Sequence, residues 1–126
     1  MSRRKGFSLV ETMVALAMLG VIVVTVLGSF STVTLAVRRH TTATSLDRLV
    51  RSDAEYVKSQ AYATKPGTYA TLTAAGYTFA VQILYYDPAN GTFATTNADN
   101  GLQQIVLTVT ATAGGSEQLR FLKVQP

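Results

Sequence analysis

From Thr12 to Val37 the chain runs 26 residues without a charged side chain. Wound as an α-helix, such a stretch reaches about 39 Å, more than the roughly 30 Å hydrocarbon core of a bilayer. A cleaved secretory signal has a shorter apolar region and a small-residue cut site beyond it. Here the run ends in Leu35-Ala36-Val37-Arg38-Arg39-His40, with no such site. The reading is therefore a span that stays in the protein. A buried core helix of a soluble domain is the competing reading, and length argues against it. Basic residues flank the span on both sides. Arg3, Arg4 and Lys5 precede it, and Arg38, Arg39, Arg48 and Arg51 follow it. Counting positive charges leaves its orientation open.

Inside the span, Gly20 and Gly28 fall roughly on one helix face. Each weakens an isolated helix by about 1 kcal/mol relative to alanine. They suit close helix packing or local melting, and they are also ordinary membrane-helix composition. Thr25, Ser29, Ser31 and Thr32 carry hydroxyls that can bond back to the helix or across to a neighbour.

The span leaves roughly 85 residues for anything globular, enough for a modest core only. The absence of cysteine excludes disulfides, thiolate zinc sites and cysteine nucleophiles. The single histidine, His40, adjoins Arg38 and Arg39, a poor place for a buried general base. Removing Arg3, Arg4 and Lys5 from the formal +4 leaves +1, so the basic character belongs mostly to the first six residues. Nucleic-acid binding by the remainder is weakly supported. The basic cluster Arg38, Arg39 and His40 lies where the helix would leave a membrane. Snorkelling to lipid head groups is the simpler reading of it, and DNA binding the sharper one.

Helical periodicity continues beyond the span. Leu46, Leu49, Val50, Ala54, Val57 and Ala61 recur at spacings of three and four, which predicts one helix from about Phe7 to Ala63. Asp47 with Arg51, and Glu55 with Lys58, form pairs on another face; Asp47, Asp53 and Glu55 read together as solvated. Lys65-Pro66-Gly67 stops the helix. Three strands are expected after it. In 77–86, Tyr77, Phe79, Val81, Ile83 and Tyr85 alternate with a more polar set. In 102–112, Ile105, Leu107 and Val109 share a face; in 117–124, Leu119 and Phe121 point inward with Val124 a further candidate. Ala113-Gly114-Gly115-Ser116 joins the last two as a hairpin. The stretch 87–101 reads as an exposed connection, with Asn90-Gly91 a turn. Tyr85-Tyr86-Asp87 reads as a strand end. No acid–base pair, metal cluster or phosphate loop stands out, which argues against an enzyme and implies no cofactor.

The stretch Lys5-Gly6-Phe7-Ser8-Leu9-Val10-Glu11 resembles the class III prepilin signal shared by type IV pilins and type II secretion pseudopilins. That pattern is a short basic leader ending in glycine, a phenylalanine, then hydrophobics with glutamate at the fifth mature position. Gly6, Phe7 and Glu11 match all three positions, behind Arg3, Arg4 and Lys5. The resemblance implies an α+β pilin fold. In it, a long N-terminal helix, its first half transmembrane, carries an antiparallel sheet of about three strands on its C-terminal half. It implies cleavage between Gly6 and Phe7 by prepilin peptidase, N-methylation of Phe7, and filament assembly through Phe7 and Glu11. It divides the chain into a removed leader (1–6), a transmembrane or filament-core half-helix (7–37), an amphipathic outer half (38–64) and a small sheet domain (65–126).

The implied partners are prepilin peptidase, other pilin or pseudopilin subunits, an inner-membrane assembly platform, and lipid before assembly. DNA is a further partner, since some pilus systems take it up. The implied location is the bacterial inner membrane, N-terminus cytoplasmic, then a periplasmic or extracellular filament. Major pilins often carry a proline in the span and a C-terminal cysteine pair; this chain has no proline before Pro66 and no cysteine. The wording Gly6 to Leu19 is more similar to minor pilins and minor pseudopilins. The rival readings are a competence-type or major pilin, and a single-pass anchored binding domain that never polymerises.

A carboxylate in hydrocarbon is costly. Glu11 lies one helical turn behind the amine that cleavage would create on Phe7. Two readings of it stand: pairing with the amine of another subunit, which fixes register, or favouring the helix N-terminus electrostatically.

Overall fold

The computed structural model describes Gly6 and residues 8–126. The chain forms two compact units, one ending at Arg39 and the other running from His40 to Pro126. Helix α1 (Leu9–Ser59) supplies the first unit's described helix and opens the second.

In the second unit the helix buries one stripe: Leu46, Val50, Asp53, Ala54 and Val57. These positions recur every three or four residues and so share a face. Leu49 packs beside them. On the wet side, Arg51 meets Asp47 at 3.1 Å and Lys58 meets Glu55 at 3.1 Å. Such exposed pairs stabilise by well under about 1 kcal/mol each.

α1 ends at Ser59, four residues short of the expected Ala63, and Ala61 is exposed rather than part of the stripe. The stop is tertiary. Lys123 reaches over from the sheet and donates to the carbonyls of Val57 at 2.8 Å and Gln60 at 2.5 Å. Carbonyls at a helix end lack part of their usual helical bonding, and the Val57 oxygen otherwise accepts, among the described residues, only from the Gln60 N–H at 3.2 Å. Gln60 turns its amide to the backbone of Ala70, donating to its oxygen at 2.7 Å and accepting from its N–H at 3.0 Å.

Four antiparallel strands follow: β1 (Tyr77–Asp87), β2 (Thr92–Ala94), β3 (Leu102–Ala111) and β4 (Ser116–Val124), in the order β2-β1-β3-β4. The count is one above the three expected, because β2 pairs Phe93 with Tyr86 inside the stretch read as a loop. In register, Ile83 faces Ile105 and Ile105 faces Phe121; Val81 faces Leu107 and Leu107 faces Leu119. Ile105, Leu107 and Val109 are fully buried against the α1 stripe, with Leu119 and Phe121 packed at the side. Val124 is exposed, a correction to its reading as inward. Strand parity gives the reason: the inward set of β4 is Leu119, Phe121 and Lys123, so Val124 falls on the opposite face. At the β3–β4 hairpin, Gly114 and Gly115 take φ of 109° and 94°, values that side-chain-bearing residues rarely adopt. The α+β pilin-like layout is thus present, with the sheet laid on the His40–Ser59 part of the helix.

Candidate functional site

The first site is the start of α1. Ser8 stands just outside the helix, and its carbonyl accepts from Thr12 N–H at 3.1 Å. Its Oγ accepts from the Glu11 N–H at 3.2 Å, and Ser8 N–H leans toward Glu11 Oε2 at 3.5 Å. This is a capping box, in which serine and glutamate three residues apart each satisfy the other's backbone donor. The Glu11 carboxylate is therefore drawn back toward the residue that follows Phe7. This geometry fits the reading in which Glu11 favours its own helix N-terminus.

Behind this cap, α1 is apolar on every side. Leu9, Leu16, Met18, Val21, Val24, Leu27 and Phe30 are all more than half exposed, and none of the membrane-length window is buried. A helix apolar all round and uncovered needs hydrocarbon or other helices about it. Its polar groups are made compatible with that setting. Thr25 donates to Ile22 O at 2.8 Å, Ser29 to Thr25 O at 2.9 Å, Ser31 to Leu27 O at 3.3 Å, Thr32 to Gly28 O at 3.2 Å and Thr34 to Phe30 O at 3.0 Å. Each hydroxyl is satisfied within the helix, so none requires water. A Cβ at Gly6, Gly20 or Gly28 would meet nothing within 4 Å, so both span glycines are open to a neighbour.

A family model described as the prokaryotic N-terminal methylation motif matches residues 1–27. The chain carries a class III prepilin signal, that of the type IV pilin and pseudopilin family. Neither a curated protein nor a solved structure matches the chain. Such a signal implies processing by prepilin peptidase and assembly with other pilins. With the apolar helix it fits a membrane-anchored pilin, and pilins are structural proteins.

Of the expected site residues, the structure brings Gly6 and Glu11 to one end of the helix, with Ser8 between them. Ser8 escaped the sequence reading, although Ser8-Leu9-Val10-Glu11 is a legible capping signature. Phe7, Arg3, Arg4 and Lys5 lie outside the described residues. Arg38, Arg39 and His40 are exposed at consecutive positions of α1. Consecutive helix positions diverge by about 100°, so the three fan around the helix rather than forming one basic patch.

The second polar centre lies in the outer unit, around Asp99. Its Oδ1 accepts from Tyr62 Oη at 2.5 Å and Gly101 N–H at 3.1 Å; its Oδ2 accepts from Lys65 N–H and Gln103 Nε2, each at 3.0 Å. Gln103, fully buried, also donates to Ala63 O at 2.8 Å and accepts from Tyr69 Oη at 2.8 Å. Burial pushes the Asp99 carboxyl up, but the four hydrogen bonds together outweigh it and hold it below the ordinary aspartate value. Burial, then the bond to Asp99, pushes the Tyr62 hydroxyl well above the usual tyrosine range. Every member is tied to a partner that fixes segment 60–76 to the sheet. The arrangement is a fastening, with its donors and acceptors facing one another.

Asp53 corrects the sequence reading most sharply. Grouped there with Asp47 and Glu55 as solvated, it is fully buried. The signal was present: Leu46, Val50, Asp53 and Val57 step by four, three and four, which puts Asp53 in the centre of the apolar stripe.

Proposed function

We propose that the chain is a minor subunit of a type IV pilus or type II secretion pseudopilus, without enzymatic activity. Prepilin peptidase cuts between Gly6 and Phe7, removing 1–6, and methylates the Phe7 amine. Residues 7–37 hold the subunit in the inner membrane and later form the filament core, while 38–64 carry the sheet domain 65–126 outside. The chain primes assembly or sits at the filament tip. The observation that carries this reading is a single carboxylate, Glu11, held at the helix start ahead of 26 uncharged residues. A plain anchor has no use for a charge at that position, whereas a filament uses it to set register by meeting the Phe7 amine of a neighbour.

Two substitutions separate the roles of Glu11. Glu11→Gln keeps a capping-box side chain but removes the charge; Glu11→Ala removes both. Both variants are expected to be cleaved, and both to be lost from filaments sheared off the cell or captured with other pilins. Normal incorporation of Glu11→Gln would sink the charge pairing and leave Glu11 only its capping role, whereas absence of the wild-type chain itself from filaments would favour the non-polymerising anchored domain.

A further inference from the structure

Asp53 is the one fully buried carboxylate among the described residues. It lies on α1 between Val50 and Val57, which are themselves at 1 % and 0 % exposure. Oδ1 accepts from Leu72 N–H at 2.8 Å, so the side chain bridges the helix to the irregular segment 60–76 that crosses its end. Oδ2 is shut off from solvent and has no partner among the described residues.

An ionised carboxylate there would hold one hydrogen bond and no counter-charge. No cation of the surrounding elements meets it: Arg48 on α1 is exposed, as is Arg120 on β4, which holds Gln118. On α1, Arg51 holds Asp47 and Lys58 holds Glu55. On the crossing segment, Lys65 donates to Thr95 O and Asn97 O, Tyr62 to Asp99 and Tyr69 to Gln103. On β4, Lys123 holds the end of α1. β1 offers only the neutral Tyr77, Tyr85 and Tyr86 besides Asp87 at its far end, and β3 has no titratable residue. An isolated buried charge is so costly that such groups take up a proton instead. Burial accordingly pushes the Asp53 carboxyl above its ordinary 3.8, and the Leu72 bond only partly offsets this.

We propose that Asp53 is a proton-operated clasp: its carboxyl ties segment 60–76 to α1 through the Leu72 N–H, and ionisation weakens the clasp because it leaves a charge shut in the apolar stripe with no counter-ion, a cost that the Leu72 bond only partly offsets. The folded unit keeps the Asp53 proton to higher pH than the unfolded chain does. The clasp's contribution is therefore complete below about 3.8 and is lost as pH rises through the raised folded value. Asp99 works the other way and in a different window. Its carboxyl is held low in the fold, so its contribution is present above 3.8 and fails only as pH falls below that. Above 3.8, the Asp53 contribution therefore grows as the surroundings acidify.

The test uses the full chain in detergent micelles, melted by circular dichroism from pH 4 to 8, with Asp53→Asn beside it. The amide still accepts from Leu72 and cannot ionise. The variant is expected to melt about 5 °C above wild type at pH 8, a modest shift for a unit this size. Near pH 4 the gap should close or reverse. A gap that stays constant with pH overturns the proposal. The carboxyl carbon of Asp53, followed by NMR in the wild-type chain, gives an answer that does not depend on the variant folding. It should titrate above 3.8, with Leu72 amide protection falling over the same range. Titration at or below 3.8 overturns the clasp.

Discussion

Ser8 and Glu11 show how much one side chain of four atoms or fewer beyond Cβ decides here. The serine hydroxyl fills the Glu11 N–H, and the glutamate reaches back toward the Ser8 N–H. Replacing an N-cap serine by alanine costs about 1 kcal/mol at the helix start. Ser8→Ala should therefore raise amide exchange at Glu11 roughly fivefold while leaving Val50 and Val57 unchanged, as measured by hydrogen exchange on the full chain. Equal exchange in both proteins would remove the cap. Single residues were also where the sequence was least legible. Glu11 was found because no other charge competes with it in the span. Asp53 was not, because a carboxylate among Asp47, Glu55 and Lys58 looks solvated unless its place on the 46–50–53–57 stripe is weighed above its charge. Asp99 and Gln103 could not be found at all: their partners Tyr62, Ala63 and Tyr69 come from more than thirty residues away. No local pattern records such a meeting.

Elements were legible in proportion to how far their own residues decide them. β1 and β4 alternate because one sheet face is covered and the other is more open, and β3 does so apart from the buried Val106, so their parity was written in the chain. β2 is three residues long and exists by pairing with Tyr85, Tyr86 and Asp87, which nothing in Thr92-Phe93-Ala94 announces. The end of α1 was overrun for a similar reason. Gln60-Ala61-Tyr62 would continue a helix well enough by propensity, and a lysine 63 residues further on ends it. Lys123 Nζ also lies 4.5 Å from the centre of the Tyr69 ring, joining the helix end, the crossing segment and β4. Lys123→Met keeps the apolar stem and loses the donor. It should destabilise the fold by about 1.5–3 kcal/mol, the range for hydrogen bonds from charged groups, read as a lower urea midpoint at unchanged slope. An unchanged midpoint would mean that water replaces the ammonium at no cost.

The whole molecule is written for two solvents, and its charges stand where the solvents change. Between Thr12 and Val37 nothing ionises, and the span's hydroxyls bond to their own helix, so this part is indifferent to which way it points. Direction has to come from the flanks. Arg3, Arg4 and Lys5 lie on one side; Arg38 and Arg39 lie directly on the other, with Arg48 and Arg51 beyond. Such a near balance makes orientation sensitive to small changes, because the basic flank is the one retained in the cytoplasm. With glutamine at positions 3, 4 and 5, only the far flank is basic, and the chain should insert opposite to the proposed orientation or stall. Two readouts follow from one cause. On the topology and processing proposed above, a protease added outside the inner membrane of spheroplasts should no longer reach the sheet domain, and the leader should stay attached, because Gly6 would no longer meet the peptidase on its working side. Glutamine at positions 38 and 39 tips the balance toward the leader side instead, and on the proposed orientation should leave both cutting and exposure as in wild type. If the neutral leader is still removed and the sheet domain still exposed, orientation is imposed by recognition of the signal itself, and the basic residues serve the peptidase rather than the membrane.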